Sequence, residues 1–245
     1  MKSSISLFVL SAFCGLLMSS VSAEACPECG GAEGNIAVIV VDVQGDFTTL
    51  KKGSLAVNGT DKSFVDAVAK ATKNFSQEGF LIFGTQDWHP GDHISFFTNH
   101  DGKKPFEAIQ IEGRTQVLWP PHCIQGTENA RVLVDNNLFR AIVKKGQDSR
   151  YDSYSGFQDD GGAKTEMDKI LKRNMVGKVV VYGIATDYCV KATAIDAARA
   201  GYKVIVVEDL CRGVAPDTSQ KALEEMKAQG IEVLKTIDMK RIKEL

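Results

Sequence analysis

Hydrophobic positions alternate between two patterns along the chain. Short apolar runs at Ile36 to Val41, Phe80 to Gly84, Ala141 to Val143, Lys178 to Tyr182, Lys203 to Val207 and Glu232 to Leu234 show no polar alternation, which predicts strands buried on both faces of a parallel sheet. Most of the stretches between them repeat at helical spacing. From Asp61 to Gln77 a capping residue is followed by Phe64, Val65, Val68, Thr72 and Phe75 on one face, and the pattern stops before Gly79. Residues 165 to 174, 189 to 200 and 217 to 229 repeat the scheme, with Gly201 and Gly230 placed to end the last two. Strand and helix in alternation with short links predict one α/β domain from Asn35 to Leu245, a three-layer α/β/α arrangement around a central, mostly parallel sheet. The stretch from about Gln86 to Arg140 fits neither pattern. It is too long for an idle connection, so it is expected to carry function.

The chain before Asn35 has a different character. Lys2, an apolar stretch from Ile5 to Met18 and the small residues Val21-Ser22-Ala23 predict a secretory signal peptide over residues 1–23. Ser and Gly interrupt the stretch, and it falls short of the roughly 20 residues that span a bilayer, so cleavage is favoured over a lasting membrane anchor. Glu24 stands where a lipoprotein signal wants a small residue. Residues 24–34 form a Gly-rich leader holding Cys26 and Cys29, and the protein is expected to be exported, to a periplasm or outside the cell.

Composition narrows the function classes. The chain of 245 residues has 29 basic and 31 acidic side chains, and no basic cluster of the kind that nucleic acid or anionic lipid would require. Six cysteines are too few for a disulfide scaffold of this length. Losing Cys14 with the signal would leave an odd number, so at least one thiol must be accounted for by something other than pairing.

In open α/β sheets, ligands bind beyond the carboxyl ends of the strands. Four of the predicted strands lead to Asp42, Asp87, Lys145 and Cys189. Cys189 follows the strand-to-helix turn Gly183-Ile184-Ala185-Thr186-Asp187-Tyr188 and is expected at the amino end of the next helix, where amides and the helix dipole favour a thiolate and can hold an oxyanion. A small buried cysteine would look the same. Asp42 as a base and Lys145 as a fixed cation would complete a nucleophilic site, although either residue alone could cap a turn or face solvent. A second constellation is Asp87-Trp88-His89-Pro90-Gly91-Asp92-His93 with Trp119-Pro120-Pro121-His122-Cys123, whose carboxylate and imidazoles suit zinc, iron or manganese. Pro90 and Gly91 bar a regular helix, so spacing by itself leaves metal ligands and surface histidines both open.

Taken in order, Asp42-Val43-Gln44-Gly45-Asp46-Phe47, Asp87-Trp88-His89-Pro90, Trp119-Pro120-Pro121-His122-Cys123, Lys145-Gly146, Tyr154-Ser155-Gly156-Phe157 and Gly183 to Cys189 closely resemble the nicotinamidases (pyrazinamidases) of the isochorismatase-like cysteine hydrolases. The resemblance runs from about Asn35 to Leu234. It implies an isochorismatase-like fold and a catalytic triad of Asp42, Lys145 and Cys189. It also implies a divalent metal, zinc first and iron or manganese otherwise, held by Asp87, His89 and His122. His93 resembles a position that touches the metal directly in some members and through water in others. Phe47 and Trp119 resemble the aromatic walls around the substrate's pyridine ring. The family's oxyanion hole falls on the amides of Ala185 and Cys189, with a cis peptide between Ile184 and Ala185. The implied reaction converts nicotinamide, and pyrazinamide with it, to the acid and ammonia through a thioester, as in salvage of pyridine nucleotides for NAD. A homo-oligomer is compatible with this reading.

Gly45 departs from the family, which usually has Asn there, and this predicts a looser loop beside Asp42 or an altered pocket. Two rival readings remain at this stage. One is an exported isochorismatase-like hydrolase of another amide or ureido substrate, against which the full metal motif argues. The other is a non-catalytic metal-binding or thiol-redox protein using Cys26 and Cys29, which would leave Asp42, Lys145 and Cys189 without a role.

Overall fold

A computed structural model describes residues 34–244. Their elements, in chain order, are β1 (Asn35–Val41), α1 (Lys62–Gln77), β2 (Leu81–Asp87), β3 (Ala108–Ile111), β4 (Arg114–Val117), β5 (Ala141–Lys145), α2 (Met167–Arg173), β6 (Val176–Ile184), α3 (Lys191–Arg199), β7 (Lys203–Arg212), α4 (Pro216–Ala228), β8 (Glu232–Leu234) and α5 (Met239–Glu244). Six strands form one sheet in the order β5-β2-β1-β6-β7-β8, and every neighbouring pair is parallel. Each apolar run thus became a strand. Ala37 to Val41 on β1 and Val179 to Tyr182 on β6 are buried on both faces, as their unbroken hydrophobicity requires. α1 begins where Asp61 accepts from the Phe64 amide, and it turns Phe64, Val65, Val68 and Phe75 into the core.

The topology fixes where a site can form. From β1 the chain moves outward to β2 and β5 on one side, then returns to add β6, β7 and β8 on the other. The order therefore reverses between β1 and β6, opening a crevice at their carboxyl ends, the usual ligand position in such sheets.

Three features differ from the sequence pattern. The irregular 86–140 stretch contains the antiparallel hairpin β3–β4, whose strands of four residues are too short and too exposed to leave a period. α5 closes the described chain and seats only Ile242 in the core, too little for a pattern to reveal. The predicted helix at 189–200 is divided: Thr186–Val190 forms a π-helical turn, and α3 starts only at Lys191. The expected signal peptide, the leader and the Cys26 and Cys29 pair lie outside the described residues. Among the described residues, no helix is long and apolar enough to cross a membrane.

Candidate active site

The site is built at the carboxyl ends of four adjacent strands. β1 ends at Val41, and Asp42 follows in the left-handed region at φ 47°. β2 ends on Asp87 and β5 on Lys145, and these two residues are register partners, so the sheet itself sets them side by side. β6 leads through the cis Ile184–Ala185 peptide into the π turn that holds Cys189. Cys189 therefore does not open an α-helix, as the pattern suggested, but lies inside a wider turn of a kind often found at functional sites.

Lys145 is the hub of the arrangement. Its ammonium is buried and stands 3.0 Å from Asp42 Oδ2 and 3.4 Å from Cys189 Sγ, and it donates to Asp87 Oδ1 and, at 2.6 Å, to the Ser153 carbonyl. Burial alone would lower the Lys145 pKa, but Asp42 and Asp87 hold it well above the ordinary lysine value, so the cation is permanent. The two carboxylates part company around it. Burial pushes Asp42 above the ordinary carboxylate range, with Lys145 opposing and Asp87 adding to the shift. Asp87 feels the same burial, yet Lys145, His89 and His122 outweigh it and hold the carboxyl far below. Burial also pushes the Cys189 thiol well up, Lys145 opposing and Asp42 adding, so the resting sulfur keeps its proton until a base removes it. Candidate ligand atoms of Asp42, Asp87 and Cys189 all lie within 4.8 Å of one another.

Asp87 also belongs to a second cluster. Its Oδ2 lies 3.5 Å from His89 Nε2 and 4.0 Å from His122 Nε2, and the three ligand atoms fall within 4.8 Å of one another. His89 Nδ1–H donates to the Gly146 carbonyl at 2.9 Å and His122 Nδ1–H to the Pro120 carbonyl at 2.7 Å. Each ring is thereby fixed with Nε2 facing Asp87, the outer-shell arrangement that orients metal-binding imidazoles. Buried His89 Nε2 has no hydrogen-bond partner. Burial alone would lower the His89 pKa, but Asp87 more than offsets it, which marks a place that favours positive charge. Burial and His89 push His122 down to about 4, leaving a lone pair on its Nε2 at neutral pH. One carboxylate and two imidazoles whose Nε2 atoms turn to a common point fit a divalent metal. Gly146 makes the arrangement sterically feasible: at φ 65°, a Cβ there would stand 2.3 Å from the His89 ring.

His93 is not brought into this ligand set. Its Nδ1 meets Ser95 Oγ at 2.7 Å and its Nε2–H donates to the Tyr151 carbonyl at 3.1 Å, so the ring braces the loop with both nitrogens engaged. Nor is the Gly45 loop slack. Gln44 spans to the Asp87 backbone, accepting from its amide at 2.8 Å and donating to its carbonyl at 2.9 Å, while Asp46 accepts from the Cys123 amide at 2.8 Å. A Cβ on Gly45 would come within 2.8 Å of Asn129 Cα, so the glycine permits close packing rather than movement.

Phe47, Trp119, Ala185 and Cys189 line one cleft, with Asp87 and His122 on its metal side. Sequence reasoning missed several of the other residues there. Tyr188 packs edge-on to Trp119 at 5.1 Å, and the Tyr154 hydroxyl accepts from Trp119 Nε1 at 3.2 Å, so three aromatic side chains brace one wall. Tyr154 and Tyr188 sat inside recognised motif blocks, which was signal enough to find them. Asp152 also lines the cleft, but nothing in its polar stretch set it apart. Asp187 accepts from the Val214 amide at 2.9 Å and from Thr218 Oγ1, tying the cysteine turn to the start of α4. Among the described residues Cys123, Cys189 and Cys211 are free and buried.

Comparison with known proteins agrees with this geometry. The isochorismatase domain family matches residues 36–238. The chain belongs to that family. It is 42% identical over 202 residues to the nicotinamidase of Acinetobacter baylyi, covering 81% of this chain and 91% of that one. Its fold resembles the yeast nicotinamidase bound to the inhibitor nicotinaldehyde, with a TM-score of 0.75 and 32% identity, covering 81% of this chain and 99% of that one. It also resembles the pyrazinamidase of Pyrococcus horikoshii in complex with zinc, with a TM-score of 0.69 and 36% identity over 82% of this chain and 98% of that one. The zinc in that relative and the Asp87, His89 and His122 cluster here both point to a divalent metal.

Proposed function

We propose that this isochorismatase-family protein is a nicotinamidase, an amidohydrolase converting nicotinamide to nicotinate and ammonia. The observation that carries the reading is Lys145, a single buried cation joining a base and a thiol on one side to a metal-ligand cluster on the other. The aromatic cleft suits a flat ring that presents its carboxamide to Cys189.

Asp42 takes the proton from Cys189, and the sulfur attacks the carboxamide carbon. The carbonyl electron pair moves onto oxygen, where the amides of Ala185 and Cys189 hold the oxyanion. As the oxyanion collapses, the C–N bond breaks and Asp42 returns its proton to the departing nitrogen, releasing ammonia. Water then attacks the thioester, with Asp42 accepting a proton from it and passing one back to the sulfur as nicotinate leaves. Burial raises Asp42 above the ordinary carboxylate range, which suits it to carry a proton, and the fixed Lys145 cation beside Cys189 opposes the rise of the thiol and favours the thiolate formed in the first transfer. Asp87, His89 and His122 would hold the metal, zinc by preference, and a bound ion supplies a Lewis-acid contact for the ring nitrogen. Pyrazinamide, which shares the flat ring and carboxamide, fits the same cleft. Export of the chain and a role in NAD salvage are part of the proposal, the first resting on Lys2, the apolar stretch from Ile5 to Met18 and Val21-Ser22-Ala23.

The test is release of ammonia and acid from nicotinamide, pyrazinamide and an ureido substrate by the purified chain, with metal analysis of the same sample. Turnover of the two aromatic amides with about one divalent ion per chain is expected. Hydrolysis of the ureido substrate alone would overturn the assignment.

A further inference from the structure

We infer that Thr85 is a positioning residue for the base, dictating which oxygen of Asp42 exchanges the proton with Cys189. Thr85 lies in β2, buried, two residues before Asp87. Its hydroxyl is bonded twice to the same residue: it donates to Asp42 Oδ1 at 2.6 Å and accepts from the Asp42 backbone amide at 3.2 Å. The second bond fixes the direction of the first, because an oxygen that accepts the amide hydrogen turns its own hydrogen elsewhere, and the other polar atom on it is Oδ1.

The two carboxylate oxygens therefore differ. Oδ1 already receives a hydrogen bond, so a proton placed there would face the Thr85 hydrogen. Oδ2 is buried 3.0 Å from Lys145 Nζ and has no directed hydrogen bond. It is the oxygen left open to take the thiol proton, and it lies on the Lys145 side, where Cys189 Sγ also stands. Thr85 further holds Asp42 in its left-handed conformation through the amide contact, at a place where a non-glycine residue needs enforcement. Without the hydroxyl, the carboxyl could rotate or take its proton on the wrong oxygen. Both would slow proton transfer, and neither would touch the aromatic cleft.

This inference rests on Asp42 being the base, so Asp42→Asn is measured beside the Thr85 variants. Thr85→Val keeps the shape and removes the hydroxyl, whereas Thr85→Ser restores it. We expect Thr85→Val to lower kcat for nicotinamide by about 10- to 100-fold with KM changed less than about twofold, and Thr85→Ser to recover most of kcat. Thermal unfolding of both variants accompanies the kinetics, and a kcat loss that tracks a loss of folded protein in both alike would overturn the positioning role. It is equally overturned if Thr85→Val keeps wild-type kcat while Asp42→Asn is inactive, or if Thr85→Ser is as impaired as Thr85→Val. Retained turnover in Asp42→Asn would instead overturn the base assignment itself.

Discussion

The two halves of the cleft use the same kind of residue for opposite ends. On one side Asp42 meets a thiol and a lysine, and on the other Asp87 meets the same lysine and two imidazoles. Both carboxylates are buried, and both lie within reach of one cation. Their proton affinities nonetheless move apart, Asp42 upward and Asp87 downward. The difference lies in what else each one faces: Asp87 has two imidazoles besides Lys145, whereas Asp42 faces a neutral thiol and the charge of Asp87. Pairs of titratable groups pushed apart by their surroundings are a common mark of divided labour in a site. Here the raised carboxyl is the one suited to carry a proton, and the depressed one is suited to stay charged and hold a metal.

The sharpest way to break this division is to remove one side and ask whether the other survives. Cys189→Ala should lower turnover of nicotinamide by about 10³-fold or more, the scale seen when a nucleophile is lost, while metal content and ligand binding stay near wild type. Metal lost along with activity would mean that the halves are not separable. His122→Ala should do the reverse. Even outer partners of metal ligands cost about 10- to 100-fold in metal affinity, so losing a ligand should cost at least that much, with KM rising and Cys189 still open to alkylation. Unchanged metal content would remove His122 from the ligand set.

The two halves were not equally legible from sequence. Asp42, Lys145 and Cys189 follow apolar runs that suit buried strands, and the alternating strand-helix order brings them to one edge. Asp87 and Lys145 meet through the β2–β5 register, which no spacing in the sequence could predict, since 58 positions separate them. His89 and His122 were visible as residue types within motifs, but their tautomers are set by the Gly146 and Pro120 carbonyls, and those contacts exist only after folding. His93 shows the limit of spacing most plainly. It lies close to His89 in sequence, with ring centroids 4.3 Å apart, yet Ser95 and Tyr151 claim its nitrogens. The π turn at Cys189 was hidden for a related reason: its apolar positions continue into α3, and the extra residue in the turn is fixed by backbone bonds such as Val190 N–H to the Ala185 carbonyl at 3.0 Å.

The smallest predicted effect falls where the aromatic wall joins both halves. The Tyr154 hydroxyl accepts from Trp119 Nε1 at 3.2 Å, and the Tyr154 ring lies 5.5 Å from that of Tyr188, next to Cys189. Tyr154→Phe would remove the acceptor and keep the ring. The bond is a single neutral hydrogen bond at the lining of the open cleft, so the loss should be about 0.5–1.5 kcal/mol. Because the bond holds the wall and touches neither Asp42 nor Cys189, that loss should appear as a rise of about two- to tenfold in KM with kcat unchanged. A fall in kcat with KM constant would mean that Tyr154 takes part in the chemistry, and the wall would then belong to the nucleophile half rather than serving as a common support.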